Sequence, residues 1–516
     1  MTGAEAVLQT AAAAGVEVCF ANPGTTEMAL VHALDRAPQV RAVLGLFEGV
    51  CSGAADGFAR MSGCPALTLL HLGAGLSNAL ANLHNARRAR SPVVNLVGDQ
   101  ATWHREADAP LTSDIASLAR PVSRWVRESR TSAGAAQDAA EAIAAAQEFP
   151  GGVATLILPS DCQGGEAPGP ARPIPLALAP QPARDRIEGI AAALRREKNA
   201  ALYLGGRALS ARGQLAAGRI AQATGCRLIS ETFPARFERG AGLPRVDRLP
   251  YFPEWVASFL EGLRTLVLAA APEPVAFFGY PGIPSRLTPE GCALLTLAAP
   301  DEDAESALDA LADSLGAAAP APAPAKRPEM PVGELTPEAV GTVLALLQPE
   351  GAIVVDESAT TGLGYFPAAA SSPRYSLLTL TGGSIGMGPP CAAGAAIACP
   401  DRTVINFQGD GGAVYTLQAL WTQAREALHV VTLICSNRAY RVLQIESARA
   451  GVAEPGQKAL SLTQLSRPDL DWVHLARGLG VPASRVDSVE SLRRVLSVAL
   501  AEEGPHLIDV VLSGAR

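Results

Sequence analysis

Two short stretches in the last third of the chain carry residue types suited to holding a charged ligand. Gly409-Asp410-Gly411-Gly412 follows the apolar run RTVINFQ, and Asn437 follows the apolar run HVVTLICS. Between Gly411 and Ser436 lie 24 residues, enough for one helix and one strand. A strand–helix–strand unit crosses over right-handed, so Asp410 and Asn437 are expected at the ends of neighbouring parallel strands. One carboxylate and one amide oxygen on a common rim suit an octahedral Mg²⁺ that also holds phosphate groups. The glycines let backbone N–H groups approach a phosphate, and the N-terminus of the following helix favours its charge.

Placing these groups requires a parallel sheet, and short apolar runs alternate with helical patterns along the whole chain. RAVLGLF precedes the helical stretch EGVCSGAADGFARM; ALTLLHL, a glycine turn and the helix LSNALANLHNARRA precede VVNLVGD. In the last third, RTVINFQ, a glycine turn and the helix VYTLQALWTQAREA precede HVVTLICSN. The middle shows AALYLGG, CRLIS, LRTLVLAA and CALLTLAA. This order predicts parallel sheets with helices on both faces, whose working residues sit beyond the carboxyl ends of the strands. Two Pro- and Ala-rich stretches, about 161–184 and 316–331, read as linkers. They divide the chain into an N-terminal domain 1–165, a central domain 180–315 and a C-terminal domain 332–516, each a doubly wound α/β unit.

The composition excludes several classes. Hydrophobic residues make up 48% and charged residues 18% of the 516, so the chain has ample material for cores and is not globally disordered. A net charge of −8 argues against nucleic acid as the main partner. Met1–Phe20 lacks the basic start of a signal peptide, and no apolar run is long enough to span a membrane. Nine dispersed cysteines without a C-x-x-C pair read as reduced thiols, and hence as a cytoplasmic protein.

Gly-Asp-Gly followed by Asn resembles the thiamine-diphosphate motif, with Ser436 in place of that motif's first Asn. The resemblance to the family of thiamine-diphosphate-dependent 2-oxo acid decarboxylases and acetolactate synthases covers the whole chain. Its pattern is nearest to benzoylformate decarboxylase. It implies that the N-terminal domain binds the pyrimidine and the C-terminal domain the diphosphate. It implies Asp410, Asn437 and the carbonyl of Ala439 as Mg²⁺ ligands, with Tyr440 against the diphosphate, alongside Gly409, Gly411 and Gly412. The stretch Asp356-Glu357-Ser358-Ala359-Thr360 occupies the place of a phosphate loop, which makes Ser358 and Thr360 candidates. Gly382-Gly383-Ser384-Ile385-Gly386 resembles the segment that bends the cofactor, with Ile385 as the wedge between its rings and Gly383 as a carbonyl acceptor beside Ser384.

In this family the protein must generate the imino tautomer of the aminopyrimidine, and the cofactor supplies the rest of the chemistry. The acid that does this opens a helix in the first domain, where Glu48 sits. Matches at Gly53, Asp56, Gly57 and Arg60 fix the alignment, and Leu44, Leu46, Phe47 and Val50 argue for burial. His71 ends the strand ALTLL on the same rim and corresponds to a proton-handling histidine of benzoylformate decarboxylase; acetolactate synthases carry Gln there. In Asn22-Pro23-Gly24-Thr25-Thr26-Glu27, Thr25 stands where the decarboxylase has a serine that touches the substrate carboxylate. His104, in QATWHREADAP, is a further candidate. The decarboxylase's second catalytic histidine has no counterpart: the stretch PEPVAFFGYPGIPSRL offers Phe277, Phe278 and Tyr280.

The resemblance implies a Mg²⁺-dependent enzyme that decarboxylates a 2-oxo acid to an enamine and aldehyde, with carboligation as a further outcome. The alternatives are an acetolactate synthase-like carboligase without FAD and, in another class, a non-catalytic thiamine-fold binding protein. No match to the flavin-binding Arg-Phe-Asp-Asp stretch exists and the central domain is short, so FAD is not expected. A homodimer with sites at its interface, paired into a homotetramer, is the expected assembly.

Overall fold

The computed structural model describes residues 1–318, 327–452 and 454–513. Positions 319–326 of the second expected linker lie outside the described residues. The chain folds into two compact units: Met1–Leu176 with Arg327–Ala369 and Leu380–Arg516, and Ala177–Lys326 with Ala370–Thr379.

The N-terminal sheet of the first unit contains β1 (Val18–Asn22), β2 (Arg41–Leu44), β3 (Ala66–Leu70), β4 (Val93–Asp99), β5 (Trp125–Glu128) and β6 (Val153–Pro159), all parallel, in the order β2-β1-β3-β4-β6-β5. Its strands are apolar on both faces. Leu67, Leu69, Val94, Leu96 and Leu156 point to one core, while Leu70, Val97 and Ile157 point to the other. That is the pattern of a sheet covered by helices on both sides. In the second unit, β7 (Ala200–Leu204), β8 (Arg227–Ser230), β10 (Asp247–Arg248), β11 (Thr265–Ala269) and β12 (Ala293–Ala298) form a parallel sheet in the order β10-β8-β7-β11-β12. There β9 (Phe237–Arg239) pairs antiparallel with β14 (Tyr375–Thr379). The C-terminal part of the first unit holds β13 (Ala352–Glu357), β15 (Val404–Gly409), β16 (Val430–Ser436), β17 (Ala483–Val486) and β18 (His506–Val511), in the order β17-β18-β16-β15-β13 and all parallel. The chain is thus an α/β protein with three parallel sheets.

Within the first unit the N- and C-terminal layers meet through two helices, Glu48–Ser62 and Gly388–Ala398. They approach closely because Gly57 faces the Cys391 carbonyl and Gly394 faces the Ala54 carbonyl; a Cβ at either position would overlap that backbone. Beneath the contact, Arg60 and Asp56 form a buried ion pair through Nε at 2.9 Å, and Ser91 adds a hydroxyl to the same carboxylate. Pairing and hydrogen bonding are what allow these charges inside.

Two expected glycine turns are helical starts. The helix Leu72–Ala89 begins immediately after His71, so Gly73 and Gly75 lie in its first turn, and Asp410–Ala413 is likewise helical. In the first of these, glycine serves close approach: a Cβ at Gly73 would overlap the Ser113 hydroxyl.

Candidate active site

Asp410 and Asn437 come to adjacent strand ends, as the crossover argument requires. In the β15–β16 register Gly409 sits opposite Cys435, which brings Asp410 beside Ser436. The Asp410 carboxylate is buried and accepts from the Gly411 N–H at 2.9 Å and the Arg438 N–H at 2.7 Å. Burial pushes its acid dissociation up to about 6, against the pull of those two N–H groups. Arg438 holds a left-handed φ of 56°, an unusual conformation for a non-glycine residue that the bond to Asp410 helps fix. Asn437 turns its side-chain oxygen onto the Ala439 N–H at 3.0 Å, and the Tyr440 hydroxyl reaches the Gly411 carbonyl at 3.5 Å.

This rim fits a divalent cation that arrives with a diphosphate. Among the described residues no three His, Cys, Asp or Glu side chains group to hold a metal by themselves. One carboxylate, one amide and the Ala439 carbonyl would leave the remaining octahedral positions to phosphate oxygens and water.

The segment 382–386 is clasped by the Leu72–Ala89 helix. Asn85 donates to the Ser384 carbonyl at 2.7 Å and accepts from the Ser384 N–H at 3.2 Å; His84 meets the Gly382 carbonyl at 3.2 Å. Asn82 donates to both Gly49, next to Glu48, at 2.9 Å and Gly386 at 3.3 Å. Gly383 and Gly386 adopt φ of 73° and 94°, which only glycine tolerates well. Ile385 is half-buried. Ser358 is buried with its hydroxyl turned onto Asp356 at 2.5 Å, whereas Thr360 is half-buried.

Glu357, assigned no role from the sequence, anchors this segment from the other side. It is buried at the end of β13 and accepts from the N–H groups of Gly386 and Gly388 at 2.6 and 2.5 Å. Burial raises its acid dissociation from 4.5 to about 7, the N–H groups only partly opposing it. A raised folded value means that the folded state holds this proton more tightly than the unfolded chain. The stability it contributes is complete below about 4.5 and is lost as pH rises through about 7. A shift of this size is worth about 3 kcal/mol. The melting temperature of the cofactor-free protein relative to Glu357→Gln is therefore expected to fall between pH 4.5 and 7; a constant difference would refute the assignment.

Glu48 opens the helix after β2, is 7% exposed, and accepts from the Asn78 amide at 3.0 Å. His71 occupies the N-cap position of the next helix without a side-chain capping bond. A Cβ built on Gly75 would lie 3.1 Å from Glu48 Oε1 and 3.4 Å from His71 Cβ, so both residues pack against the first turn of that helix. The partner of His71 is Glu27: Nδ1 lies 2.7 Å from Glu27 Oε2, and Glu27 is fully buried. Glu27 also accepts from the Gly24 N–H at 2.8 Å and the Thr26 hydroxyl at 2.6 Å. Beside an ionised carboxylate, which can only accept, Nδ1 would carry the proton of this bond and leave Nε2 for other partners. Gly24 is required because a Cβ there would overlap the imidazole. Thr25 is exposed in the same loop. His104 stacks edge-on with exposed Trp103 at 5.6 Å, away from this pair's hydrogen bonds. Phe277 and Phe278 lie in the second unit, their rings 5.3 Å apart.

These features are those of thiamine pyrophosphate enzymes. The family's N-terminal TPP-binding domain matches residues 1–118 and its C-terminal TPP-binding domain residues 361–510. A Mycobacterium tuberculosis protein with the provisional name acetolactate synthase large subunit IlvX is 51% identical over 514 residues, covering 99% of both chains. Benzoylformate decarboxylase of Pseudomonas aeruginosa is 30% identical and covers 96% of both. The thiamine diphosphate-dependent 4-hydroxybenzoylformate decarboxylase of Rhodococcus jostii RHA1 superposes with a TM-score of 0.87 at 27% identity, over 99% of both chains. The chain belongs to the thiamine pyrophosphate enzyme family and is a thiamine diphosphate-dependent enzyme. Among the described residues no helix is long and apolar enough to cross a membrane.

Proposed function

We propose that this enzyme decarboxylates a 2-oxo acid to an aldehyde, with Mg²⁺ held by Asp410, Asn437 and the Ala439 carbonyl. Gly409, Gly411, Gly412, Ser358, Thr360 and Tyr440 border the diphosphate, and Gly383, Ser384 and Ile385 support the bent ring system. The bound cofactor supplies the electron sink for loss of CO₂. Glu48 exchanges a proton with the aminopyrimidine from its buried position. His71 moves a proton at the reacting carbon through Nε2, with Glu27 fixing its tautomer. Thr25 faces the substrate carboxylate, and His104, in the loop after β4, is a further group for proton transfer. The observation that carries the reading is the bond of His71 to the fully buried Glu27, with Gly75 packed against both Glu48 and the His71 Cβ.

If this pair acts as a unit, His71→Ala lowers kcat by about 10²–10⁴-fold, and adding Glu27→Gln to it costs little more. Fully additive losses would separate the two residues. The test of the reaction is a panel of 2-oxo acids with purified protein, Mg²⁺ and thiamine diphosphate, scored for CO₂ and aldehyde. Binding without turnover of every acid would favour a non-catalytic binding protein.

The 51% identity to a protein bearing an acetolactate synthase name supports a second reading, an FAD-independent carboligase. In the same panel, an added aldehyde acceptor would then be consumed into a new C–C bond. The purified protein is expected to carry no flavin absorbance.

The cavity beside Asp410, about 140 Å³, is lined by C-terminal residues alone. The proposed assembly is a cytoplasmic homodimer, paired again into a tetramer, in which a partner's Glu48 half completes each site. Co-expressed Glu48→Gln and Asp410→Ala chains would then regain part of the activity; heterodimers without activity would contradict it.

A further inference from the structure

The family's usual Asn before the metal-binding Asn is Ser436 here, and the structure gives that serine a specific partner. Its hydroxyl donates to Asp509 Oδ1 at 2.5 Å, and Asp509 Oδ2 accepts from Arg485 Nε at 2.7 Å. Asp509 lies on β18, is 2% exposed, and stands opposite Ile434 in the β16–β18 register. The bond to Ser436 ties down the residue at which β16 gives way to the turn carrying Asn437 and Ala439. The far side of that turn is held by Leu465 N–H on the Arg438 carbonyl at 2.7 Å and Tyr440 N–H on the Thr463 carbonyl at 2.9 Å.

The chain has also placed a second buried carboxylate behind the rim. Asp410, Ser436, Arg438, Arg485 and Asp509 all line the same cavity. A simple strand tie would need no charge, and a buried carboxylate is costly to keep. Arg485 offsets part of that cost but is itself half-exposed and shared with Asp471 at 3.4 Å.

We propose that Asp509 is a positioning residue for the metal rim: through Ser436 it fixes the turn that presents Asn437 and Ala439, and its charge strengthens the rim's hold on a divalent cation. The proposal rests on the reading of Asp410 and Asn437 as metal ligands. Groups that orient metal ligands from behind typically change metal affinity by about 10–100-fold.

The test is a calorimetric titration of Mn²⁺ into wild type, Asp509→Asn, Ser436→Ala and Ser436→Thr, each with saturating thiamine diphosphate, with melting of the cofactor-free proteins alongside. Asp509→Asn keeps an acceptor for Ser436 but loses the charge; Ser436→Ala keeps the charge but loses the bond. Both are expected to weaken Mn²⁺ by about 10–100-fold, while Ser436→Thr, which retains the hydroxyl, stays near wild type. Wild-type affinity in both weakened candidates, or equal loss in the Ala and Thr variants, overturns the proposal alone. A wild-type protein that binds no Mn²⁺ overturns the metal-rim reading and this inference with it. If Asp509→Asn does not fold, the comparison of Ser436→Ala with Ser436→Thr decides.

Discussion

Asp410→Ala protein is expected to emerge from gel filtration without thiamine diphosphate under conditions in which wild type retains it. Asp410 is the one carboxylate in the proposed donor set, and it is buried. Removing it leaves a dication and a diphosphate to be balanced by an amide, a carbonyl and glycine N–H groups. Breaking one partner out of a buried charge pair costs about 3–5 kcal/mol, which is a loss in affinity of about 100-fold or more. The variant should still fold, because the Asp410 side chain holds the N–H groups of Gly411 and Arg438 at a rim and not within a core. Retention of cofactor at wild-type affinity would remove Asp410 from the site.

Glu48→Gln is expected to behave in the opposite way. Its carboxyl sits on the N-terminal sheet's side, bonded to Asn78, and a glutamine can accept the same bond. Cofactor binding should therefore change by no more than one hydrogen bond, about 0.5–1.5 kcal/mol or roughly tenfold. What glutamine cannot do is exchange a proton, so kcat is expected to fall by about 10²–10⁴-fold. Equal losses of binding in Glu48→Gln and Asp410→Ala would contradict the division of labour between the two layers.

The part of this arrangement that the sequence makes legible is the part encoded over short distances. Asp410 and Asn437 are separated by one crossover, and the handedness of that crossover places them on adjacent strands; the register of Gly409 with Cys435 agrees. Parallel sheets covered on both faces follow from runs such as ALTLL and VVNLVGD that are apolar on both sides. Glu48 has no such local signal, and only the resemblance through Gly53, Asp56, Gly57 and Arg60 singles it out.

Glu27 lies 44 residues from His71, and nothing in either segment alone pairs them. The pairing depends on β1 and β3 being neighbours, with Asn22 opposite Leu70, so that the loop after one strand faces the residue after the other. An acid just past one strand and a histidine just past the next is a signal that strand order would have exposed. Glu357 and Asp509 were hidden for the same reason: their partners are Gly386 and Gly388 in one case and Ser436, 73 residues away, in the other. The glycines at 73 and 75 misled in a different way. Read as turn formers, they are helix residues kept small by Ser113 and by the Glu48 carboxyl.

The most direct measurement of the central claim needs no substrate. Thiamine diphosphate bound to the Mg²⁺-loaded enzyme is exposed to D₂O, quenched in acid at short times, and the loss of the C2 proton is followed by NMR. If Glu48 activates a cofactor held at Asp410, wild type exchanges this proton far faster than free thiamine diphosphate. Glu48→Gln, with its cofactor still bound, then exchanges it about 10²–10⁴-fold more slowly than wild type. Exchange at the same rate in wild type and Glu48→Gln would contradict the account.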